Sequence, residues 1–244
     1  MSSSVVIIPT FNEIENIEKM IHAVNALDQS FHVLIVDDGS PDGTAEKVIS
    51  MKDSFPNSLF IMQRKGKQGL GTAYIAGFRW AIKHGYDYIF EMDCDFSHNP
   101  KDLIHLRNGL ESGADVMIGS RYVTGGDVKN WPWNRVLLSY VASLYVRMIT
   151  WIGVRDTTAG FVGYKRIVLE TIDLNKIKFI GYAFQIEMKF ASKKCGFILK
   201  EYPITFIDRE FGSSKMSKGI IKEAVLGVLK MQWFSLFSTY KTQK

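Results

Sequence analysis

Cysteine is almost absent from this chain: its 244 residues contain two, Cys94 and Cys195. Two cysteines give no disulfide framework and suit a reducing compartment, and neither lies at a spacing that suggests zinc. No stretch approaches the roughly 20 nearly unbroken apolar residues that a membrane-spanning helix needs. The N-terminus runs from Met1-Ser2-Ser3-Ser4 into Val5-Val6-Ile7-Ile8, without the basic start, long apolar core and cleavage site of a secretory leader. A cytosolic protein is therefore expected. Charge of either sign is not in large excess. The net charge of +5 leaves nucleic acid, an anionic membrane surface and phosphorylated substrates open on composition alone. Placement argues against nucleic acid, because the basic residues sit in Gly-rich turns and helices rather than in one continuous patch. No internal repeat, low-complexity segment or compositional break divides the chain, and its 46% hydrophobic content is enough for one full core.

What is present is an alternation. Short β-branched runs at Val5 to Ile8, Val33 to Val36, Leu59 to Met62, Tyr88 to Met92 and Val116 to Gly119 read as strands. Between them lie NEIENIEKMIHAVNAL, PDGTAEKVISM, GTAYIAGFRWAIKHG and PKDLIHLRNGLESG, with apolar residues near helical spacing. Strand and helix in turn predict an α/β fold with a mainly parallel sheet covered on both faces. Right-handed crossovers place the C-terminal ends of such strands on one edge, where ligands bind in open α/β sheets. The ends here are chemically loaded: Pro9-Thr10-Phe11-Asn12-Glu13, Asp37-Asp38-Gly39-Ser40, Asp93-Cys94-Asp95 and Gly119-Ser120-Arg121.

Asp93 and Asp95 follow an apolar strand, where an unpartnered carboxylate is costly. Residues two apart on a strand share a face, so the pair can be aimed at one divalent cation such as Mg2+, which takes one or two protein carboxylates and completes its shell with water and phosphate. Asp38 is placed to accept hydrogen bonds from a base or ribose, or else to cap a helix. The Gly-rich QGLGTA at residues 68–73 reads either as a close approach to phosphate or as a helix entrance.

Taken together, VVIIPTFNE, IVDDGSPDGT, GLGTAYIAG, MDCDFSHNP, GSRYVTGG and FIDREFGSSK resemble, in order and spacing over about residues 4–220, the dolichyl-phosphate (polyprenyl-phosphate) mannosyltransferases of glycosyltransferase family 2. The resemblance implies a glycosyltransferase A fold: a Rossmann-like, mainly parallel sheet flanked by helices, with C-terminal amphipathic helices. It implies inverting transfer of mannose from GDP-mannose to a polyprenyl phosphate with Mg2+ or Mn2+. It also implies a single domain over residues 1–244, with a nucleotide-sugar and metal half (about 1–122), an acceptor half (about 123–218) and an amphipathic tail (about 219–244). Carried over by position, Pro9, Phe11, Glu13, Val36 and Asp38 line the nucleotide-sugar pocket, and Asp93, Cys94 and Asp95 stand in the family's Asp-Ala-Asp. The two acids would hold the metal and the donor diphosphate. Ser97 stands where some relatives add a Gln, so a third ligand is not carried over. Arg121, Arg135, Arg209 and Lys215 match the acceptor-phosphate cations, with Arg121, Arg209 and Lys215 also reaching the nucleotide sugar and Asp95, Arg121 and Arg209 carrying catalysis. Gln185 and Glu187 lie where relatives acting on hydroxyls place a base; Glu187 has an equal claim as a capping acid, and neither is assigned a role.

The segment 136–154 carries Ser139, Ser143, Arg147 and Thr150 as one polar stripe on an otherwise apolar helix, which suits an interfacial or a core-docked helix. Trp131, Trp133 and Arg135 lead into it, a combination favoured at membrane interfaces. The tail SKGIIKEAVLGVLKMQWFSLF is a second amphipathic candidate. Peripheral attachment to the cytoplasmic face of a membrane is expected, with or without a small membrane subunit. Two alternatives stay open: the same fold using UDP-glucose or UDP-N-acetylglucosamine, and a non-catalytic nucleotide-sugar-binding subunit of a membrane complex.

Overall fold

The computed structural model describes residues 3–181, 183–208 and 218–242, the side chains of 218–225 excepted. Strands and helices alternate through the first half as β1 (Ser4–Thr10), α1 (Ile17–Asn25), β2 (His32–Asp37), α2 (Thr44–Met51), β3 (Leu59–Gln63), α3 (Leu70–Lys83), β4 (Tyr88–Glu91), α4 (Asp102–Glu111) and β5 (Val116–Ser120). The second half is less regular: β6 (Asp127–Lys129), α5 (Trp133–Thr150), β7 (Val162–Lys165), α6 (Arg166–Thr171), α7 (Ala183–Lys194), β8 (Leu199–Pro203), β9 (Thr205–Ile207) and α8 (Lys218–Phe234). All five expected strands form.

A seven-stranded sheet runs β3-β2-β1-β4-β7-β5-β8, and β6 pairs with β9 beside it. Pairing is parallel throughout except at β7, which is antiparallel to both β4 and β5. The apolar strand runs feed two cores. Val5 and Ile7 point to the face covered by α3 and α7, while Val6 and Ile8 point to the face covered by α1 and α4, as the two-residue strand period requires. Helix α3 lies close on β1 because residue 77 is glycine: a Cβ there would sit 2.6 Å from Ile7 Cγ2. From β1 the sheet extends to β2 on one side and β4 on the other. That reversal opens a crevice at the C-terminal ends of β1 and β4, the position open α/β sheets use for ligands.

Strand β7 has no counterpart among the expected strands. After β5 the chain leaves the sheet through β6 and α5, then returns as Val162-Gly163-Tyr164-Lys165 between β4 and β5. Gly163 lets that insertion close, since a Cβ would come 2.6 Å from the Phe90 ring.

Helix α5 begins at Trp133, earlier than the expected segment, and its orientation is informative. Ser143, Val146 and Thr150 are its buried residues. Ser143 and Thr150 of the polar stripe therefore face the protein, with Ser139 and Arg147 half-buried at its edge; Thr157 Oγ1 lies 3.3 Å from Ser143 Oγ and Thr150 Oγ1 donates to its own helix at Val146. The apolar residues face out, with Trp133 78% and Trp151 84% exposed. Helix α8 packs through Val228 and Met231, both buried, and through Gly227, where a Cβ would meet the Phe179 ring at 2.6 Å. The chain end is also tied down. Tyr240 is buried, its hydroxyl donates to Glu187 Oε1 at 3.2 Å, and Lys241 bridges to Ile172. No helix among the described residues is long and apolar enough to cross a membrane.

Candidate active site

The crevice is framed first by the turn after β2. Asp37 builds it, accepting from Thr10 Oγ1 at 2.9 Å, from Ser40 Oγ at 2.6 Å and from the N–H groups of Gly39 and Ser40 at 3.0 Å each. The turn then holds the segment after β1, with the Asn12 N–H on Ser40 Oγ and the Glu13 N–H on Thr44 Oγ1. Asn12 has φ of 61°, a left-handed conformation that Asn tolerates better than most residues. Pro9 pairs with Val36 across β1 and β2. Phe11 is exposed at the crevice edge, with Lys67 Nζ 4.9 Å over its ring.

Asp38 is more constrained than the sequence reading allows. It is 6% exposed, and its two oxygens take Nε and Nη2 of Arg64 at 2.6 and 3.0 Å. Arg64 follows β3 and also reaches Thr72 Oγ1 on α3. Asp38 thus fastens the basic segment 64–68 to the turn after β2. The two readings of the Gly-rich stretch separate here. The Gly71 N–H donates to the Ile180 carbonyl at 2.9 Å, and a Cβ on Gly71 would meet the Phe184 ring at 2.7 Å. These glycines admit the 179–184 segment against α3; the stretch is a tightly packed helix entrance.

Asp93 and Asp95 sit just past β4, half-buried, with Cys94 buried between them. Asp93 Oδ1 is 3.4 Å from Tyr74 Oη, and Asp95 Oδ1 accepts the Ser97 N–H at 3.1 Å. Residue 160 is glycine beside Asp93, and a Cβ there would lie 3.9 Å from Asp93 Oδ2, so that oxygen borders space a side chain would fill. Among the described residues no three His, Cys, Asp or Glu side chains form a metal cluster. Two half-buried carboxylates two residues apart, one of them beside a glycine, fit a hard divalent ion that completes its shell with water and phosphate.

Arg121, after β5, differs from its expected geometry. It is 9% exposed, and its Nε and Nη2 each lie 2.7 Å from an oxygen of Asp156, with Thr158 Oγ1 at 2.8 Å from Nη2. The side of the guanidinium expected to grip a phosphate is closed on an internal carboxylate; Nη1 takes no part in that pairing. Burial alone would raise the Asp156 carboxyl, but the guanidinium holds it below the ordinary carboxylate range. Arg135 pairs with Asp208 at 3.0 Å in a half-exposed setting. Trp131 lies between the two cations, its ring 4.0 Å from Arg135 and 5.5 Å from Arg121. Arg209 and Lys215 lie outside the described residues.

The acids and cations meet around His98. Its ring stacks on Phe161 at 5.1 Å and meets Phe206 edge-on at 5.3 Å, and Arg121 covers the same Phe206 ring. Burial lowers the His98 pKa to about 4, with Arg121 adding to the lowering and Asp95 opposing it. Gln185 and Glu187 both point into the protein. Glu187 accepts the N–H groups of Lys178 and Phe179 as well as Tyr240 Oη, and Gln185 donates to Glu91. Reading the sequence missed Arg64, Asp156 and Lys189, and it named Trp131 only as an aromatic at a membrane interface. Arg64 had a signal, since it follows a predicted strand whose end belongs to the same rim.

Asp93 and Asp95 follow β4 and Arg121 follows β5, all beyond C-terminal strand ends of a mainly parallel sheet, and the architecture is that of the glycosyltransferase A fold. Comparison with known proteins gives the family. A model described as glycosyl transferase family 2 matches residues 5–173, and the chain belongs to that family. It is 46% identical over 225 residues to the polyprenol monophosphomannose synthase of Mycolicibacterium smegmatis, covering 92% of this chain and 85% of that one. It is 44% identical to the undecaprenyl-phosphate mannosyltransferase of Micrococcus luteus, covering 92% and 91%. Among solved structures, glucosyl-3-phosphoglycerate synthase from Mycobacterium tuberculosis, crystallised with Mn2+ and UDP, superposes with a TM-score of 0.68 at 15% identity, covering 96% and 80%.

Two outcomes test this geometry. Asp156→Asn leaves a buried guanidinium uncompensated and should cost ~3–5 kcal/mol in denaturant unfolding, whereas Asp208→Asn, at a half-exposed pair, should cost no more than ~1 kcal/mol; equal costs would contradict the assignment of Asp156 as the buried counterion. His98 gives a pH dependence with a definite sign. Its folded pKa lies below the ordinary 6.5, so the folded chain stays neutral where the unfolded chain takes up a proton. Stability from this group is intact above about pH 6.5 and declines toward pH 4, by on the order of 3 kcal/mol. His98→Phe, which keeps the ring stack, should flatten the melting temperature between pH 7 and 4.5; a slope as steep as the parent's would refute this.

Proposed function

We propose that this chain transfers mannose, with inversion, from GDP-mannose to a polyprenyl phosphate, at the surface of a membrane. The likeness to two enzymes named for polyprenyl-linked mannose supports the sugar and the acceptor. One observation supports the choice of a phosphate acceptor: in the segment near which relatives acting on hydroxyls place a base, Glu187 is buried with both oxygens engaged and Gln185 donates to Glu91. A hydroxyl acceptor would lack a base there. A phosphate monoester has its second pKa near ~6 and arrives already charged.

The difficulty is then repulsion between a dianion and a diphosphate leaving group. Asp93 and Asp95 would hold the divalent cation, Mg2+ or Mn2+, that supplies Lewis-acid charge to the leaving diphosphate. The turn built by Asp37 and the Asp38–Arg64 clamp shape the base and ribose side, with Pro9, Phe11, Glu13 and Val36 around it. Arg121, through its charge and Nη1, and Arg135 face the acceptor phosphate, and we assign Arg209 and Lys215 to the same task. These cations lower the barrier by meeting negative charge as it gathers. In this reading residues to about 122 form the donor half, 123–218 the acceptor half and 219–244 the tail.

Helices α5 and α8 support the membrane surface as partner. They pack together, and their outward faces present Leu144, Met148, Trp151, Trp233 and Phe237 to solvent, with Arg147 and Lys230 nearby. A contiguous apolar face flanked by cations suits an anionic bilayer. A small membrane subunit is a further candidate for that face.

Purified protein incubated with Mg2+, a polyprenyl phosphate and a panel of labelled sugar nucleotides should move label into lipid from GDP-mannose alone, and Asp95→Ala should cut that rate at least ~100-fold. Transfer from a UDP sugar instead would overturn the donor, and binding with no transfer from any donor would overturn the catalytic reading. Leu144→Glu combined with Met148→Glu should weaken binding to anionic vesicles about tenfold or more while sugar-nucleotide affinity stays within about twofold. Unchanged vesicle binding would remove this face from membrane attachment. Surface changes are the sharper probe, because truncating α8 would also strip Val228 and Met231 from the core.

A further inference from the structure

One layer beneath the rim lies a buried cation with no part in the chemistry above. Lys189 on α7 is 0% exposed. Its ammonium donates to the Ala159 carbonyl at 2.7 Å and to the Gln185 carbonyl at 3.1 Å, and it reaches Gln185 Oε1 at 3.5 Å. Gln185 Nε2 in turn donates to Glu91 Oε2 at 2.6 Å. Glu91 ends β4, is fully buried, and lies two residues before Asp93. Burying an ammonium and a carboxylate costs more than an apolar pair of the same volume would. The neighbours of Lys189 on α7 are Met188 and Phe190, and packing alone would be served by methionine.

The geometry gives the group a use. The Ala159 carbonyl belongs to the turn 156–160, whose Asp156 holds Arg121 and whose Gly160 lies beside both Asp93 and Gln185: a Cβ on Gly160 would be 3.9 Å from Asp93 Oδ2 and 4.0 Å from Gln185 Nε2. The Gln185 amide has a carboxylate at its nitrogen and an ammonium near its oxygen, so one orientation of the amide satisfies both. The chain of contacts Glu91, Gln185, Lys189, Ala159 therefore runs from the strand that carries the acids to the turn that carries the counterion of Arg121. We propose that Lys189, acting through Gln185, is a positioning residue that locks the end of β4 against the turn 156–160, so that the metal-side acids and the acceptor-side guanidinium keep one fixed spacing. The inference rests on the reading of Asp93 as a metal ligand.

The test compares Lys189→Met with the double variant Glu91→Gln/Lys189→Met, which removes both buried ionisable groups. Three quantities are read: the thermal midpoint, the affinity for Mn2+ alone from the free-ion spin-resonance signal, and KM for polyprenyl phosphate against kcat. Lys189→Met should lower the midpoint, weaken Mn2+ about tenfold and raise the acceptor KM by a similar factor, although Lys189 touches neither ligand. The double variant should regain the midpoint and leave both affinities impaired. Recovery of both affinities in the double variant would reduce Lys189 to charge balance and overturn the proposal. So would affinities within about twofold of the parent in a folded single variant, or failure of both variants to fold, which would make the network purely structural. A parent chain that binds no Mn2+ would instead overturn the metal reading, and this inference with it.

Discussion

A guanidinium almost wholly out of water needs a carboxylate beside it, and Asp156 supplies one to Arg121 through two contacts of 2.7 Å. The C-terminal ends of β5 and β8 and the turn before β7 are arranged around this pair. Arg121 follows β5, while Asp156 stands in the turn before β7, and Asp156 is itself held from β8, because Glu201 accepts the N–H groups of Arg155 and Asp156 at 2.7 and 2.9 Å. Three strands are thereby tied at one end of the sheet. The pair adds to the register of β7, which is already set by four pairs with β4 and three with β5. Desolvating two ions is costly, and an apolar pair is often as stable. What the charges add is direction: two contacts of 2.7 Å fix the orientation of the guanidinium.

The rim divides its work by how each charge is held. Asp38 and Asp37 are consumed by internal partners and act as builders of the crevice. Asp93 and Asp95 are half-buried, and Asp93 Oδ2 lies beside Gly160. Arg121 is turned inward on one edge, whereas Arg135 pairs with Asp208 in a half-exposed setting, where such pairs are worth ~0–1 kcal/mol.

The first half of the fold was legible because each of its strands is a short, continuous apolar run between turn residues. Parallel strands buried on both faces leave that signature. Strand β7 left none: Val162-Gly163-Tyr164-Lys165 carries a glycine required by the Phe90 ring and follows a Gly-containing turn, so it reads locally as loop. Asp93 and Asp95 could be found from spacing along one strand. The partners that decide what Asp38 and Arg121 do could not, because Arg64 and Asp156 lie 26 and 35 residues away, and nothing in a local pattern encodes a pairing across the sheet.

Helix α5 marks a different limit. Periodicity showed that Ser139, Ser143, Arg147 and Thr150 share one side, but a period has no sign: the same stripe suits a helix with its polar side in water or against protein. What sets the sign is the receiving surface. Beneath α5 the surface is mixed: Ser143 Oγ meets Thr157 Oγ1, while Val146 joins the apolar core together with Ile152 and Val154. Ser143 and Thr150 can go inward because each hydroxyl has a partner there, Thr150 on its own helix at Val146. With that side committed to the protein, Leu144, Met148 and Trp151 are left on the outer side, an orientation that only the receiving surface, and not the period, decides.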